Sequence, residues 1–202
     1  EIRKKVAQFC NVDSDAVVQS IDVSTIYEVP LLMKEEKLDL TAMRKLDLKV
    51  SKEPNLKEWT AFVDKLKHPT KEVTIGLVGK YVELPDSYKS IMESLVHAGA
   101  LNQVKVKIES VHSEIIKESN VADKLKGLQG ILVAPGFGQR GIEGKIEAVK
   151  YARENNIPFL GICLGMQCAV IEYARNVLGY EDADSSEMSR TTQHPVIDLM
   201  EE

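Results

Sequence analysis

From residue 71 onward, short apolar runs alternate with longer segments whose apolar positions recur every three or four residues. Short apolar runs predict strands, and the recurring positions predict amphipathic helices. The predicted strands cover residues 73–78, 104–108, 130–134 and 157–162. The predicted helices cover residues 87–98, 121–128, 145–155 and 164–175, and Gly99 is expected to end the first of them. Regular strand–helix alternation is typical of an α/β fold in which helices cover both faces of a mostly parallel sheet.

The first 70 residues follow a different pattern. Lys, Glu and Asp crowd residues 34–57, which predicts a surface helix followed by a linker. A second helix is predicted just after this region, because five apolar residues share one helical face, and His68 and Pro69 are expected to end it. The five apolar residues are Leu56, Trp59, Phe62, Val63 and Leu66. With 202 residues, the chain is long enough for one domain that carries additional segments.

Composition narrows the possible functions. Lys and Arg number 26 and Asp and Glu 31, a net charge of -5, so the chain lacks the basic surface expected of a nucleic-acid-binding protein. Neither a run of 18 apolar residues nor a signal-peptide pattern occurs, so we expect a cytoplasmic protein with no membrane partner. The three cysteines are too few for a disulfide framework and lack zinc-ligand spacing, and no metal site is expected in these residues.

One cysteine stands between two glycines where a predicted strand ends and a predicted helix begins. Residues 161–165 read Gly-Ile-Cys-Leu-Gly. This frame is typical of a nucleophile elbow, a strained turn that projects its central side chain from the carboxyl edge of a sheet. The N–H groups of the following helix would favour a thiolate at Cys163 and stabilise an oxyanion. The alternative is a small residue buried behind a tight turn, which is the interpretation we favour for Cys168.

The partners of this thiol are only partly visible in the sequence. Residues 136–144 contain four glycines after a predicted strand, so their backbone N–H groups could complete an oxyanion hole, although an ordinary loop or a lid would share the pattern. Cysteine catalysis usually needs a histidine oriented by a carboxylate. His194 follows the elbow but has no acidic residue close behind it. We therefore expect the catalytic base to lie beyond residue 202.

Five stretches, in order across essentially all of the chain, resemble the CTP synthase family. They are residues 22–30, 79–90, 136–144, 161–167 and 185–187. The elbow alone resembles class I glutamine amidotransferases in general, whereas the first two stretches are similar to CTP synthases specifically. The resemblance implies an internal fragment with three parts. These are the tail of a P-loop-type amidoligase domain over 1–48, a linker over 49–72, and the first part of a flavodoxin-like class I glutaminase domain over 73–202.

The resemblance also implies a reaction, the ATP-dependent amination of UTP to CTP with ammonia from glutamine. It implies ATP and Mg²⁺ sites mostly outside the fragment, activation by GTP, and a parent protein that forms homotetramers and filaments. The implied site residues are Cys163 as nucleophile; Gly136 and Leu164 as oxyanion donors; Gly165, Met166, Gln167 and Glu187 as glutamine contacts; Lys5 at the UTP and CTP site; Ile21, Asp22 and Val23 beside ATP; and Lys89 and Arg140 in the GTP-associated region. Without the family's triad His and Glu and its ATP segments, the fragment alone is expected to be inactive.

The sequence departs from the family's pattern at a few positions. Pro135 replaces a glycine of the loop, and Asp184 and Ser186 stand where Asn and Thr are commoner. Since Gly136 is kept, we expect the oxyanion hole to survive. Two alternatives stay open. The chain could belong to another class I amidotransferase or a related elbow-containing peptidase or chaperone, or it could be a non-catalytic binding or assembly module.

Overall fold

The computed structural model describes residues 1–49 and 52–200. They form two compact units that divide between His68 and Pro69. The predicted linker, residues 49–72, includes positions 50 and 51, which lie outside the described residues. Its limits, like those of the two domains predicted on either side, stay predictions.

The first unit consists of helices. They are α1 (Ile2–Cys10), α2 (Val29–Glu35), α3 (Leu38–Lys45) and α4 (Lys57–Lys67), with short 3-10 turns at Ser14–Ala16 and Ile26–Glu28. The helix predicted over 56–66 is confirmed as α4. Its Trp59 and Phe62 pack on Tyr27, with ring centroids 6.0 and 5.4 Å away, and Trp59 Nε1 donates to the Tyr27 carbonyl at 2.8 Å. The surface helix predicted in the charged region corresponds to α3, in which no residue is buried.

The second unit contains a four-stranded parallel sheet. Its strands are β1 (Lys71–Gly79), β2 (Val104–His112), β3 (Gly130–Val133) and β4 (Phe159–Gly161), in the spatial order β2-β1-β3-β4. The helices are α5 (Lys89–Leu101), α6 (Val121–Leu125), α7 (Ile142–Glu154) and α8 (Leu164–Asn176). A two-stranded ribbon, β5 (Asp184–Ser185) and β6 (Pro195–Ile197), follows them. This strand order is the flavodoxin-like arrangement that was predicted.

Apolar side chains cover both faces of this sheet. Neighbouring residues of a strand point to opposite faces. Val78 and Val133 pack on one face with residues of α6, α7 and α8, whereas Leu77 and Leu132 pack on the other with Tyr88 and residues of α5. The central strands β1 and β3 therefore have near-continuous apolar runs, while the edge strand β2 alternates.

Two predicted boundaries that were placed at glycines are wrong. Gly99 does not end its helix, because α5 continues to Leu101. A Cβ at this position would stand 2.5 Å from the Val104 carbonyl oxygen, so glycine is needed here for close packing against β2. The glycine-rich loop also ends earlier than predicted, since α7 begins at Ile142 and includes Gly144. The other predicted elements are confirmed, with ends that differ by up to four residues.

Candidate active site

Cys163 lies at the turn between β4 and α8. Its φ of 53° and ψ of −110° are strained for a residue with a side chain. A Cβ on Gly161 would stand 2.5 Å from the backbone of Gly165, and one on Gly165 would stand 2.1 Å from the carbonyl oxygen of Val133. Because real Cβ atoms do not tolerate such contacts, both positions require glycine. The predicted nucleophile elbow is confirmed.

The two thiols of this region have different environments. Cys163 is exposed, whereas Cys168, five residues further along α8, is buried in the core as predicted. Burial raises the pKa of the Cys168 thiol to about 11. Since the thiolate is the reactive form, burial disfavours reaction at Cys168, and Cys163 is the exposed thiol of the two.

The loop between β3 and α7 lies beside the elbow. A Cβ on Gly136 would stand 3.7 Å from Cδ2 of Leu164, so the two predicted oxyanion donors are neighbours. Within residues 1–49 and 52–200, no hydrogen bond uses the N–H of Gly136 or of Leu164. Leu164 is the first residue of α8, where an N–H has no acceptor in its own helix. Both N–H groups are therefore without an acceptor among the described residues, as the predicted oxyanion donors require.

Two lysines that the sequence pattern did not single out are buried at this loop. Lys145, in α7, donates from Nζ to the Ala134 carbonyl at 2.7 Å. Lys80, directly after β1, donates to the carbonyl of Phe137. Both side chains are buried, and burial lowers the pKa of Lys145. Two cations thus hold the loop on either side of Gly136.

A cavity of about 600 Å³ opens between α8 and the β5–β6 ribbon. Two predicted glutamine contacts, Gln167 and Glu187, line it. The Gln167 N–H donates to the Cys163 carbonyl at 3.1 Å, so the cavity begins one helical turn from the thiol. The other lining residues are Ser185, Ser186, Arg190, Ile197, Asp198 and Leu199.

The remaining predicted glutamine contacts lie elsewhere on α8. Gly165 is buried against the last residue of β3, Val133. Met166 is about half exposed and lines a separate apolar groove together with Tyr173 and Val196. The structure therefore places Gly136 beside Leu164 at the elbow of Cys163 and brings Gln167 and Glu187 together in one cavity, and it places Met166 on a neighbouring surface.

His194 has a carboxylate partner, contrary to prediction. Its Nδ1 lies 2.5 Å from Asp182 Oδ1, and its ring stacks on Tyr180 with centroids 4.5 Å apart. Asp182 also accepts a hydrogen bond from the Gln193 N–H at 2.6 Å. The bonds from His194 and Gln193 lower the pKa of Asp182. The prediction failed because the partner precedes the histidine by 12 residues and a loop brings the two together.

A family model for glutamine amidotransferase class-I matches residues 83–200, more than half of the chain. The chain belongs to the class-I glutamine amidotransferase family. A second model, for the CTP synthase N-terminus, matches residues 1–48 of the chain. The matched ranges place the elbow, the loop and the cavity in the first model and Lys5 and Ile21–Val23 in the second.

Curated relatives match the chain over its whole length. The CTP synthase of Flavobacterium psychrophilum is 65% identical over 202 residues and that of Flavobacterium johnsoniae 63%. Both alignments cover 100% of this chain and 38% of the relative, so the chain spans about 38% of the length of these relatives. A solved Trypanosoma brucei CTPS glutaminase domain with bound acivicin is 42% identical, with a TM-score of 0.60, over 63% of this chain and 50% of that one. The predicted resemblance to CTP synthases is confirmed.

The residues predicted to contact UTP and ATP lie in the first unit. Lys5 is an exposed residue of α1 that pairs with Glu1 at 3.2 Å. Ile21–Val23 form an irregular segment between the two 3-10 turns, with Ile21 and Asp22 exposed. The roles of these residues in binding UTP and ATP stay predictions.

The two residues predicted for the GTP-associated region lie in the second unit. Arg140 belongs to the same loop as Gly136, pairs with Glu114 at 3.1 Å and lies over the ring of Tyr81. Lys89 begins α5 and pairs with Glu93 at 3.0 Å. Only Arg140 therefore shares a structural element with the candidate active site.

The described part of the chain shows neither a metal-ligand cluster nor a membrane-spanning helix. Among residues 1–49 and 52–200, no three His, Cys, Asp or Glu side chains cluster as metal ligands. In the same ranges no helix has the length and apolar character needed to cross a membrane.

Proposed function

We propose that the second unit hydrolyses glutamine and that the full-length protein uses the ammonia to convert UTP to CTP. The observation that carries the proposal is the placement of Cys163. Its thiol is exposed on a strained elbow directly before Leu164, whose side chain neighbours Gly136, and a cavity lined by Gln167 and Glu187 opens one helical turn further along α8. Family membership supports this assignment, because the elbow and the cavity fall inside the matched range.

The arrangement supports hydrolysis through a thioester. Cys163 Sγ bonds to the side-chain amide carbon of glutamine, and the carbonyl electron pair moves to oxygen, where Gly136 and Leu164 stabilise it. When that pair returns, the C–N bond breaks, and the nitrogen takes up the proton that the Cys163 thiol has lost and leaves as ammonia. Water then attacks the thioester, which releases glutamate and restores the thiol. The sum is glutamine plus water giving glutamate plus ammonia.

The cavity supplies the groups that would bind the rest of the substrate. We propose that the carboxylate of Glu187 pairs with the α-ammonium of glutamine, since this pairing forms a strong charge-assisted hydrogen bond. Gln167, with the backbone of Gly165 and Met166, would contact the side chain of the substrate. These contacts would then hold the amide carbon of the substrate at Cys163 in a fixed geometry.

The first unit would belong to the half-reaction that consumes UTP and ATP. We propose that Lys5 contacts UTP, or CTP as a feedback inhibitor, and that Ile21–Val23 lie beside the ATP base. Lys89 and Arg140 would respond to GTP. ATP and Mg²⁺ would bind mainly to other parts of a cytoplasmic, homotetrameric protein, and ammonia would replace the 4-oxygen of UTP. The domain limits 1–48, 49–72 and 73–202 belong to the same proposal.

A glutamine analogue that alkylates thiols tests this function. The full-length protein is incubated with acivicin and the modified cysteines are located by mass spectrometry, with and without excess glutamine. We expect modification of Cys163, protection by glutamine, and no modification of Cys168. Cys10 is an internal control, because it is exposed but lies on no elbow.

The outcomes separate the candidate functions. Equal labelling of Cys10 and Cys163 would show that exposure alone governs reactivity, and absence of labelling would favour a binding or assembly module. Labelling of Cys163 in a protein that makes no CTP from UTP and ammonia would instead favour another class I amidotransferase.

A further inference from the structure

Two buried ammonium groups flank the peptide that carries the proposed oxyanion donor. Lys145 has no exposed surface and Lys80 is 4% exposed. Lys145 Nζ donates to the Ala134 carbonyl at 2.7 Å, two residues before Gly136, and Lys80 Nζ donates to the Phe137 carbonyl, one residue after it. The Gly136 peptide is thus held between two cation–carbonyl hydrogen bonds.

Both lysines also approach Gly136 itself. A Cβ at this glycine would stand 3.3 Å from Cε of Lys80 and 3.6 Å from Nζ of Lys145. The Ala134 N–H donates to the Val78 carbonyl at 2.9 Å, which anchors the start of the loop to the sheet. The Phe137 side chain is 82% exposed, so packing does not fix the other end. The hydrogen bond from Lys80 to the Phe137 carbonyl instead anchors this end of the loop.

Among the described residues, the hydrogen-bond acceptors of these two lysines are backbone carbonyls, and neither lysine forms an ion pair with a carboxylate. Burying an ammonium group without a paired charge costs free energy, because carbonyl dipoles replace hydration only in part. Burial lowers the pKa of Lys145, and a thiolate at Cys163 would raise it, whereas the buried Cys168 thiol is itself held neutral by its raised pKa. Buried ionisable groups with a shifted pKa, as Lys145 is, cluster at functional sites.

We propose that Lys80 and Lys145 are positioning residues of the glutaminase site, which hold the Gly136 N–H toward the elbow and direct positive potential at the oxygen that becomes negative. The proposal rests on the glutaminase function proposed above. It assigns the two lysines a share of transition-state stabilisation, which acts on the oxyanion and not on the binding of glutamine. Removal of either charge should therefore lower kcat and leave KM nearly unchanged.

The test compares three variants of the full-length protein. Lys145→Met and Lys80→Met remove the charge and keep the length of the side chain. Lys150→Met is the matched control, because Lys150 also lies in α7 but pairs with Glu118 at 3.5 Å. For each variant kcat and KM of glutamine hydrolysis, thermal unfolding and ammonia-dependent CTP formation are measured. Inhibition by an aldehyde analogue of glutamine, which adds to the thiol and mimics the tetrahedral oxyanion, is measured as well.

We expect both lysine variants to lose about 10- to 100-fold in kcat for glutamine hydrolysis, with KM within about threefold of the wild type. The aldehyde should lose affinity by a similar factor, and ammonia-dependent CTP formation should persist. Wild-type kcat in both variants, a rise of KM alone, or unfolding of both variants would overturn the proposal. A wild-type protein that hydrolyses no glutamine would instead refute the proposed function itself.

Discussion

The first turn of α8 contacts the end of β3 through Gly165 and Val133. A Cβ at position 165 would stand 2.1 Å from the Val133 carbonyl oxygen. Val133 is the last residue of β3, a central strand, and Gly165 comes two residues after the nucleophile. The position of Cys163 therefore depends on a backbone-to-backbone contact that only glycine permits.

Gly165→Ala should reduce glutamine hydrolysis at least about 100-fold, because α8 must move by an ångström or more to admit the methyl group. Ammonia-dependent CTP formation, which does not need the elbow, should persist. Both rates are measured on the full-length variant. Val170→Ala, at a partly exposed position of the same helix, serves as the control and should stay within about twofold of the wild type. Unchanged glutamine hydrolysis in Gly165→Ala would contradict the role of this contact.

Glu187→Ala should raise the KM for glutamine about 10- to 100-fold, since the α-ammonium of the substrate loses its charged partner. Glu187→Gln, which keeps the shape of the side chain, should give a smaller rise. CTP formation from free ammonia should be nearly intact in both. Steady-state kinetics with each nitrogen donor gives the comparison. If both activities fall together, Glu187 is a structural residue.

The elbow could be predicted because every part of its signal is local. The glycine frame, the preceding apolar run and the following helical pattern all lie near Cys163. The sheet was predictable for a similar reason, since two-sided burial produces continuous apolar runs in the central strands. By contrast, Gly99 was misinterpreted because the atom that requires glycine, the Val104 carbonyl oxygen, is on another element.

The charged parts of the site depend on contacts that composition does not reveal. Lys145 follows Ile142 by three residues and precedes Val149 by four, so it occupies a core-facing position of α7. That spacing was the available signal, and it was hidden because a lysine is normally assigned to the solvated face. The Asp182–His194 pair had no such signal, because a loop and not a helical period brings the two residues together.

The ion pair between Glu28 and Lys67 should stabilise the first unit in a pH-dependent way. Glu28 accepts from Lys67 Nζ at 2.5 Å and from Ser24 Oγ at 2.6 Å, and these bonds lower its pKa from 4.5 to about 2. The stabilisation is therefore complete above a pH of about 4.5 and is lost as the pH falls through about 2.

Lys67→Met should consequently lower the Tm at neutral pH, and its difference from the wild type should shrink toward pH 2. Thermal unfolding of the full-length protein is followed across this range at low salt, since screening weakens exposed pairs. Lys65→Met, on the same helix, is the control and should show no such trend. A Tm difference that is constant with pH would contradict the assignment.

The hydrogen bonds of Asp182 should restrain the β5–β6 ribbon, which forms one wall of the cavity. Its carboxylate binds His194 Nδ1 at 2.5 Å and accepts from the Gln193 N–H at 2.6 Å. Both residues lie immediately before β6, which pairs with β5, and Glu187 follows β5 by two residues. Asp182→Ala removes both bonds, so we expect the KM for glutamine to rise about 3- to 10-fold while kcat changes less than about twofold, because Cys163 and its oxyanion donors lie on other elements. Glu181→Ala removes a neighbouring exposed carboxylate and should leave both constants unchanged. A fall of kcat in Asp182→Ala at unchanged KM would instead give the Asp182–His194 pair a part in the chemical step.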